Sequence, residues 1–208
     1  MAMEMSGVEY TIDYLIQEIE KETIFMDHSG GGVTFSGGEP LLFPETLFEL
    51  LLRCKAINVH RAVDTSLYAK AETVAAIMNE TDLFLIDLKH MDSNKHRQFC
   101  GVPNELILSN LRMIAEAGKD FIIRIPLIDG INADEENIVR SAGFLASLPW
   151  ERKVVNLLPY HEVAAAKYEK SGADFNPHNI PLSSPSPERQ QQCIAIFKQY
   201  GIIATIGG

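Results

Sequence analysis

The stretch at residues 30–42, GGGVTFSGGEPLL, constrains the fold more than any other part of the chain. Its β-branched and aromatic residues predict a strand at 33–35 that runs directly into Gly37, Gly38 and Glu39. An amphipathic helix begins near Pro44, so the order is strand, glycine loop and helix. Glycines lack Cβ atoms and let a ligand approach the backbone closely, and Glu39 adds a negative charge. This pattern suits a small ligand with a cationic amino group, although a βα turn with purely geometric glycines is also consistent with it.

Composition narrows the class of protein. The chain has 208 residues, 46% of them hydrophobic, and we expect an unstructured leader at 1–9 and a single domain at 10–208. Its formal net charge of −10 argues against a basic stripe that could bind nucleic acid. The same charge disfavours binding to an anionic membrane surface. No apolar run approaches the roughly 20 residues of a membrane span, and the amino terminus lacks a signal-peptide pattern. We therefore predict a cytoplasmic protein that binds neither nucleic acid nor membrane.

The cysteines indicate a reducing environment. Cys54, Cys100 and Cys193 are odd in number and far apart, which predicts free thiols rather than a disulfide framework. Cys54 and Cys193 fall on apolar helical faces, where cysteine usually acts as a small hydrophobic residue. No cysteines are spaced as CxxC, so the chain contains no local metal-binding loop.

Apolar periodicity predicts a parallel α/β fold. Strands and helices alternate every 20 to 40 residues or so, which is the spacing of βαβ units. The continuous apolar run at 83–86 predicts a strand covered on both faces, and the proline-rich segment 172–187 predicts a loop or lid. The predicted strands are 33–35, 60–64, 83–86, 121–127, 154–158 and 202–206. The predicted helices are 11–22, 44–56, 69–79, 105–117, one that follows Asp134, and one that begins at Ser186 and ends at Gly201.

Polar side chains recur just past the carboxyl ends of these strands. The residues in such positions are Glu39, Asp64, Asp87, Lys89 and His161, and Arg124 lies within its strand. Parallel α/β barrels bind their ligands at this end of the sheet. Packing alone poorly explains several charged residues on one rim, so the pattern favours an enzyme.

Each of these residues also has a purely structural interpretation. Asp64 could cap the helix that follows it, and Arg124 could be an ion-pair partner of Asp87 or Glu39. Lys89 could be a solvated rim residue. His161 could be held by packing against Tyr160.

Five stretches together resemble one enzyme family. The chain is similar to the radical S-adenosylmethionine proteins that activate glycyl-radical enzymes, of which the activator of pyruvate formate-lyase is a familiar member. The likeness runs from about Tyr10 to the carboxyl terminus. The stretches are 29–40 (SGGGVTFSGGEP), 63–66 (VDTS), 86–91 (IDLKHM), 123–132 (IRIPLIDGIN) and 156–168 (NLLPYHEVAAAKY).

The resemblance implies a partial (β/α)6 barrel and a specific chemistry. A [4Fe–4S] cluster held by a CxxxCxxC loop would cleave S-adenosylmethionine reductively to a 5′-deoxyadenosyl radical. That radical would remove a hydrogen atom from one glycine of a partner, a glycyl-radical enzyme such as a pyruvate formate-lyase homologue. An electron donor such as flavodoxin or ferredoxin is a second implied partner.

The resemblance also implies roles for individual residues. The methionyl amino group would be held by Gly37, Gly38 and Glu39. Asp64 and Thr65 would lie near the methionyl carboxylate and a bound monovalent cation.

The remaining implied residues surround the same ligand. Asp87 would contribute to the cation site. Lys89 and His161 would bond to the ribose or carboxylate, and Arg124 would balance the negative charge.

The chain departs from the family pattern in several places. It lacks CxxxCxxC, which belongs upstream of Tyr10, so we expect the first strand and the cluster loop to be missing and the chain to be inactive alone. Leu67, Asp129 and Ala164 replace a usual glycine, proline and glycine, which affects the expected loop geometry.

Two other functions remain open from the sequence. Lys89 at a strand end could be the Schiff-base lysine of an aldolase-like barrel. Alternatively, the chain could be a non-catalytic fragment that binds S-adenosylmethionine or the partner.

Overall fold

One six-stranded sheet organises the protein. The structure is a computed structural model, and it describes residues 8–161 and 181–207. All adjacent strands are parallel, and their order in the sheet follows their order in the chain. The strands are β1 (Gly32–Phe35), β2 (His60–Thr65), β3 (Leu83–Asp87), β4 (Asp120–Leu127), β5 (Val154–Pro159) and β6 (Ile203–Ile206).

At least one helix lies between each pair of consecutive strands. The first turn after β1 is the 3-10 helix Pro40–Leu42. The α-helices are α1 (Ile12–Ser29), α2 (Pro44–Ala56), α3 (Ala71–Met78), α4 (Ser93–Cys100), α5 (Glu105–Glu116), α6 (Glu135–Ala146) and α7 (Pro187–Gln199).

The sequential strand order makes the sheet an open barrel wall. Right-handed crossovers between consecutive parallel strands place the connecting helices on one face, and sheet twist curls the other face inward. Side chains on the outer face, such as Phe84 and Ile123, are fully buried under the helices. Those on the inner face, such as Leu85 and Arg124, are only half-buried. This fold is the predicted partial (β/α) barrel.

Most predicted elements are confirmed, with three corrections. The run at 83–86 is fully covered on one face only, because Leu83 and Leu85 line the half-open inner wall. Helix α1 continues to Ser29 instead of residue 22, since no glycine or proline interrupts it before Gly30, which ends it with φ +65°. Helix α4 was not predicted, because it is short and mostly polar, and Asp92 caps it through the Lys95 N–H.

The cysteine predictions hold in the structure. Cys54 and Cys193 are buried, and burial raises the pKa of each thiol. Cys100 is exposed, and all three thiols are free. Within the described ranges, no helix is long and apolar enough to cross a membrane.

Two predicted segments lie largely outside the described residues. These are the leader at 1–9 and the loop at 172–187. The single-domain assignment of 10–208 stays a prediction.

Candidate functional site

A cluster of opposite charges occupies the inner wall of the barrel. The guanidinium of Arg124 donates to Asp87 Oδ1 from Nε at 3.1 Å and from Nη2 at 2.8 Å, and Nη2 also donates to Asp64 Oδ1. The second oxygen of Asp64 accepts a hydrogen bond from Ser36 Oγ at 2.9 Å. The Arg124 side chain is 23% exposed, so solvent only partly screens these bonds.

Strand register creates this cluster. Asp87 is the direct partner of Arg124 across β3 and β4, while Asp64 lies on β2 opposite Leu85. Since alternate residues of a strand point to the same face, the three charged side chains share the inner wall. Burial alone would lower the pKa of Arg124, but Asp87 and Asp64 outweigh it and raise that pKa.

Glu39 fastens the glycine loop to the turn after β2. Its Oε1 accepts bonds from Thr65 Oγ1 at 2.6 Å and from the Leu41 N–H at 3.2 Å. Its Oε2 accepts bonds from the Ser66 hydroxyl at 2.6 Å and the Ser66 N–H at 2.9 Å. Thr65 points away from the inner wall and is 3% exposed, so this carboxylate fixes a buried hydroxyl. Four donors therefore already occupy the Glu39 side chain.

The two glycines leave open space at the tip of the loop. Gly37 has φ +127°, which favours glycine. A Cβ built on Gly37 or on Gly38 would meet no atom within 4 Å. The loop therefore presents bare, exposed backbone next to Ser36, which contacts Asp64 of the charged cluster.

The departure from the family pattern at Leu67 has a visible consequence. Leu67 adopts φ +59°, the left-handed conformation that a glycine would take without strain. The side chain is fully buried, and its backbone is held by Thr65 Oγ1 and the Asn110 amide. The turn thus keeps a glycine-like backbone without a glycine. Ala164 lies outside the described residues.

Lys89 and His161 stand at the same edge of the sheet. Lys89 Nζ lies 3.8 Å from Asp87 Oδ2, and its side chain is 38% exposed. His161 is exposed and follows the end of β5 by two residues. The structure thus joins Asp64, Asp87, Lys89 and Arg124 through direct contacts.

The contacts in the structure decide three of the structural alternatives. Asp64 does not cap the next helix, because α3 begins after Lys70 without a side-chain cap. Arg124 pairs with Asp87 and Asp64 rather than with Glu39. Lys89 lies at the rim as a half-exposed residue beside a carboxylate.

Sequence reasoning missed several polar residues of the site. Ser36 and Ser66 supply hydroxyls to Asp64 and Glu39, and both lie directly beside residues that the motifs had singled out. Asn132 ties the ends of β3 and β4 together by donating to the carbonyls of Lys89 and Pro126. Small polar residues next to a predicted charge were the available signal.

Comparison with known proteins decides the family. Residues 4–142, which include β1 to β4 and the whole charged cluster, match the Radical SAM superfamily. The chain belongs to that superfamily.

Several relatives of this radical SAM chain are named as activating enzymes. It is 38% identical to the trans-4-hydroxy-L-proline dehydratase activating enzyme of Clostridioides difficile, over 100% of this chain and 68% of that protein. It is 39% identical to the choline trimethylamine-lyase activating enzyme of Oleidesulfovibrio alaskensis, over 93% of this chain and 63% of that protein. A 4-hydroxyphenylacetate decarboxylase activating enzyme from C. difficile is 39% identical over 84% of this chain and 55% of its own length. The chain thus spans about half to two thirds of these relatives.

Solved structures agree with the fold. A crystal structure of a domain of pyruvate-formate lyase-activating enzyme from Bacteroides vulgatus is 54% identical, covers 86% of this chain and 99% of its own, and superposes with a TM-score of 0.73. SuiB of Streptococcus suis bound to S-adenosylmethionine is 14% identical, over 99% of this chain and 45% of its own. Its TM-score of 0.72 shows a shared fold.

Radical SAM enzymes use S-adenosylmethionine and a [4Fe–4S] cluster, and the two groups fit this chain differently. The bare glycine loop beside a mixed-charge cluster fits the zwitterionic methionyl end of S-adenosylmethionine. Over residues 8–161 and 181–207, no three His, Cys, Asp or Glu side chains converge as metal ligands. The described residues therefore do not fit an iron–sulfur cluster, and we assign no step through one.

The stability of the protein should depend on pH because of His90, which lies just past β3. Its buried ring accepts the Asp92 N–H at Nδ1, and burial, helped by Lys95, lowers the pKa of His90 despite the opposing charges of Asp134 and Asp92. The pKa of His90 in the folded protein lies below the unfolded value of about 6.5. The contribution of the neutral His90 ring to stability is therefore fully present above pH 6.5, and it is lost as the pH falls through the folded pKa. The free energy of unfolding should therefore fall on acidification, by at most about 1.4 kcal/mol per pH unit for this one group.

Urea denaturation between pH 7.5 and 5 measures this effect. The variant His90→Asn keeps an acceptor for the Asp92 N–H and does not titrate, so its stability should fall less steeply. Equal slopes for the two proteins would contradict the assignment to His90.

Proposed function

We propose that this chain is the S-adenosylmethionine-binding part of a glycyl-radical-enzyme activating enzyme. The observation that carries the proposal is the position of the bare Gly37–Gly38 backbone beside the cluster of Asp64, Asp87 and Arg124. A ligand with an amino group, a carboxylate and a sulfonium needs groups of both signs around one cavity. The names of the relatives support the same activity.

Each side of the site has a distinct proposed role. The backbone of Gly37 and Gly38 receives the methionyl amino group. Glu39 acts as a positioning residue, since its oxygens already accept four hydrogen bonds. Oxygens of Asp64 and Asp87 are available to a monovalent cation near the methionyl carboxylate, and Thr65 supports that turn.

The basic residues complete the ligand shell. Lys89 and His161 bond to the ribose or carboxylate at the rim. Arg124 offsets the two aspartates, which would otherwise repel the carboxylate of the ligand.

In the whole enzyme, one-electron reduction of bound S-adenosylmethionine would break its C5′–S bond, releasing methionine and supplying a 5′-deoxyadenosyl radical. The partner is a glycyl-radical enzyme, for which a pyruvate formate-lyase homologue is the simplest candidate, and flavodoxin or ferredoxin is the proposed electron donor. The part of the chain described here provides the binding pocket rather than the reducing centre. We therefore expect the chain alone to bind the ligand without turning it over.

Calorimetry with S-adenosylmethionine and the full 208-residue chain tests the proposal. Gly38→Ala should weaken binding about tenfold, or by on the order of 1.4 kcal/mol, because the added methyl group would occupy space that the ligand needs beside the bare backbone. Thermal stability should hardly change, since nothing lies within 4 Å of that methyl group.

The matched control is Gly143→Ala on helix α6, where the new methyl group would lie 3.7 Å from Tyr200. This variant should bind like the parent chain. Failure of the parent chain to bind S-adenosylmethionine, or equal affinity of Gly38→Ala, would overturn the proposal.

The aldolase hypothesis gains no support from the site. A Schiff-base lysine needs a dry pocket that favours the neutral amine, whereas Lys89 is half-exposed beside Asp87. Borohydride trapping with a carbonyl substrate should leave Lys89 unlabelled. The hypothesis of a non-catalytic fragment shares the binding site and, like the proposal, predicts that this chain alone binds S-adenosylmethionine without turnover.

A further inference from the structure

A row of polar residues extends beyond the charged cluster towards the last strand. Asp87, Arg124, Asn156 and Thr205 occupy paired positions on β3, β4, β5 and β6. In-register residues of parallel strands point to the same face, so all four line the inner wall. Asn156 and Thr205 are the uncharged end of this row.

Thr205 orients the amide of Asn156. Its hydroxyl donates to Asn156 Oδ1 at 3.2 Å, which directs the amide NH2 group away from Thr205. Among the described residues, that NH2 group has no acceptor. Neighbouring Arg124 uses Nε and Nη2 on the aspartates, and its Nη1 likewise has no acceptor in the described ranges.

The inner wall is therefore divided by charge. Strands β2 to β4 carry Asp64, Asp87 and Arg124, which suit a zwitterion. Strands β5 and β6 carry a neutral amide and a hydroxyl. Two residues earlier on these strands, and on the same face, lie the paired apolar residues Val154 and Ile203. Ile203 is 66% exposed.

Neutral donors flanked by apolar side chains match one chemical class of ligand. A polypeptide backbone offers carbonyl oxygens for the Asn156 amide, and its small or apolar side chains can contact Ile203 and Val154. A second charged ligand would find no counter-charge on the inner-facing residues Asn156 and Thr205.

We propose that Asn156, oriented by Thr205, binds a backbone carbonyl of the polypeptide that this protein activates. The inference rests on the proposed function, because it assigns the second substrate to the half of the wall next to the S-adenosylmethionine site. Asn156 makes the contact, and Thr205 is a positioning residue. No covalent step is involved.

Two binding measurements on the full chain test this inference. The first uses S-adenosylmethionine, and the second uses 15-residue peptides centred on the radical-site glycine of each glycyl-radical enzyme encoded in the same genome. Asn156→Ala should weaken the binding of the cognate peptide about tenfold, and Thr205→Val about threefold, the effects of losing and of misorienting one hydrogen bond. The affinity for S-adenosylmethionine should stay within about twofold.

The double variant and a surface control complete the design. The two substitutions should be non-additive, because Thr205 acts through Asn156. Asn79→Ala, at the exposed carboxyl end of α3, should bind both ligands normally. Thr205 is exposed and valine has its shape, so this variant tests the inference even if Asn156→Ala folds poorly.

The outcomes separate the two proposals. If the parent chain binds S-adenosylmethionine but no peptide, or if both variants bind the peptide normally, the inference is wrong and the proposed function stands. Parallel loss of both affinities would show a structural role for Asn156 and would also overturn the inference. Failure of the parent chain to bind S-adenosylmethionine would instead refute the proposed function.

Discussion

Replacing Arg124 by glutamine should lower the free energy of unfolding by about 3 kcal/mol and weaken S-adenosylmethionine binding about 100-fold. Arg124 is the only cation within hydrogen-bond reach of both Asp64 and Asp87 among the described residues. Its removal leaves two partly buried carboxylates facing each other, with only the half-exposed Lys89, 3.8 Å from Asp87, as a counter-charge. Their repulsion destabilises the fold, and their uncompensated charge repels the methionyl carboxylate.

Urea denaturation and calorimetry measure the two effects. Arg97→Gln, on the exposed face of α4, is a matched control that should change neither quantity by more than a small amount. If Arg124→Gln unfolds like the parent chain, the ion pairs contribute little to folding. If it binds S-adenosylmethionine normally, the cluster is not the ligand site.

Strand positions were predictable because each strand carries its own apolar signal. The runs around Phe84 and Ile123 stand out from the helical periodicity on either side, and turn residues bound them. The length of α1 and the existence of α4 were not predictable in the same way. Both depend on caps, Gly30 and Asp92, whose geometry becomes decisive only in three dimensions.

The position of the candidate site at one edge of the sheet was predictable, and so was one of its contacts, the ion pair between Arg124 and Asp87. Charged residues at parallel strand ends indicated one rim, and the register then placed Arg124 opposite Asp87. Nothing in the sequence indicated that Glu39 would reach the buried Thr65 hydroxyl, since that bond joins residues 26 positions apart. The uncharged pair Asn156 and Thr205 was missed because a lone amide and a lone hydroxyl carry no distinctive pattern.

Replacing Glu39 by alanine should remove about 3 kcal/mol of stability and weaken S-adenosylmethionine binding about 100-fold. The reason is that four donors lose their acceptor together, one of them the buried hydroxyl of Thr65. The glycine loop would then separate from the turn after β2. Glu39→Gln should have about half of each effect. Its remaining oxygen still accepts hydrogen bonds from Thr65 and Leu41, but its NH2 group is a donor and would face the Ser66 N–H, which is also a donor.

The pair of variants distinguishes a positioning residue from a direct ligand contact. If Glu39 acts by holding the loop, stability and affinity fall together from the parent chain to glutamine to alanine. If it grips the methionyl amino group itself, glutamine should lower the affinity strongly while the free energy of unfolding barely changes. Glu45→Gln, an exposed carboxylate in the first turn of α2, controls for the loss of one negative charge. Since all four donors already converge on its two oxygens, we expect the parallel decline.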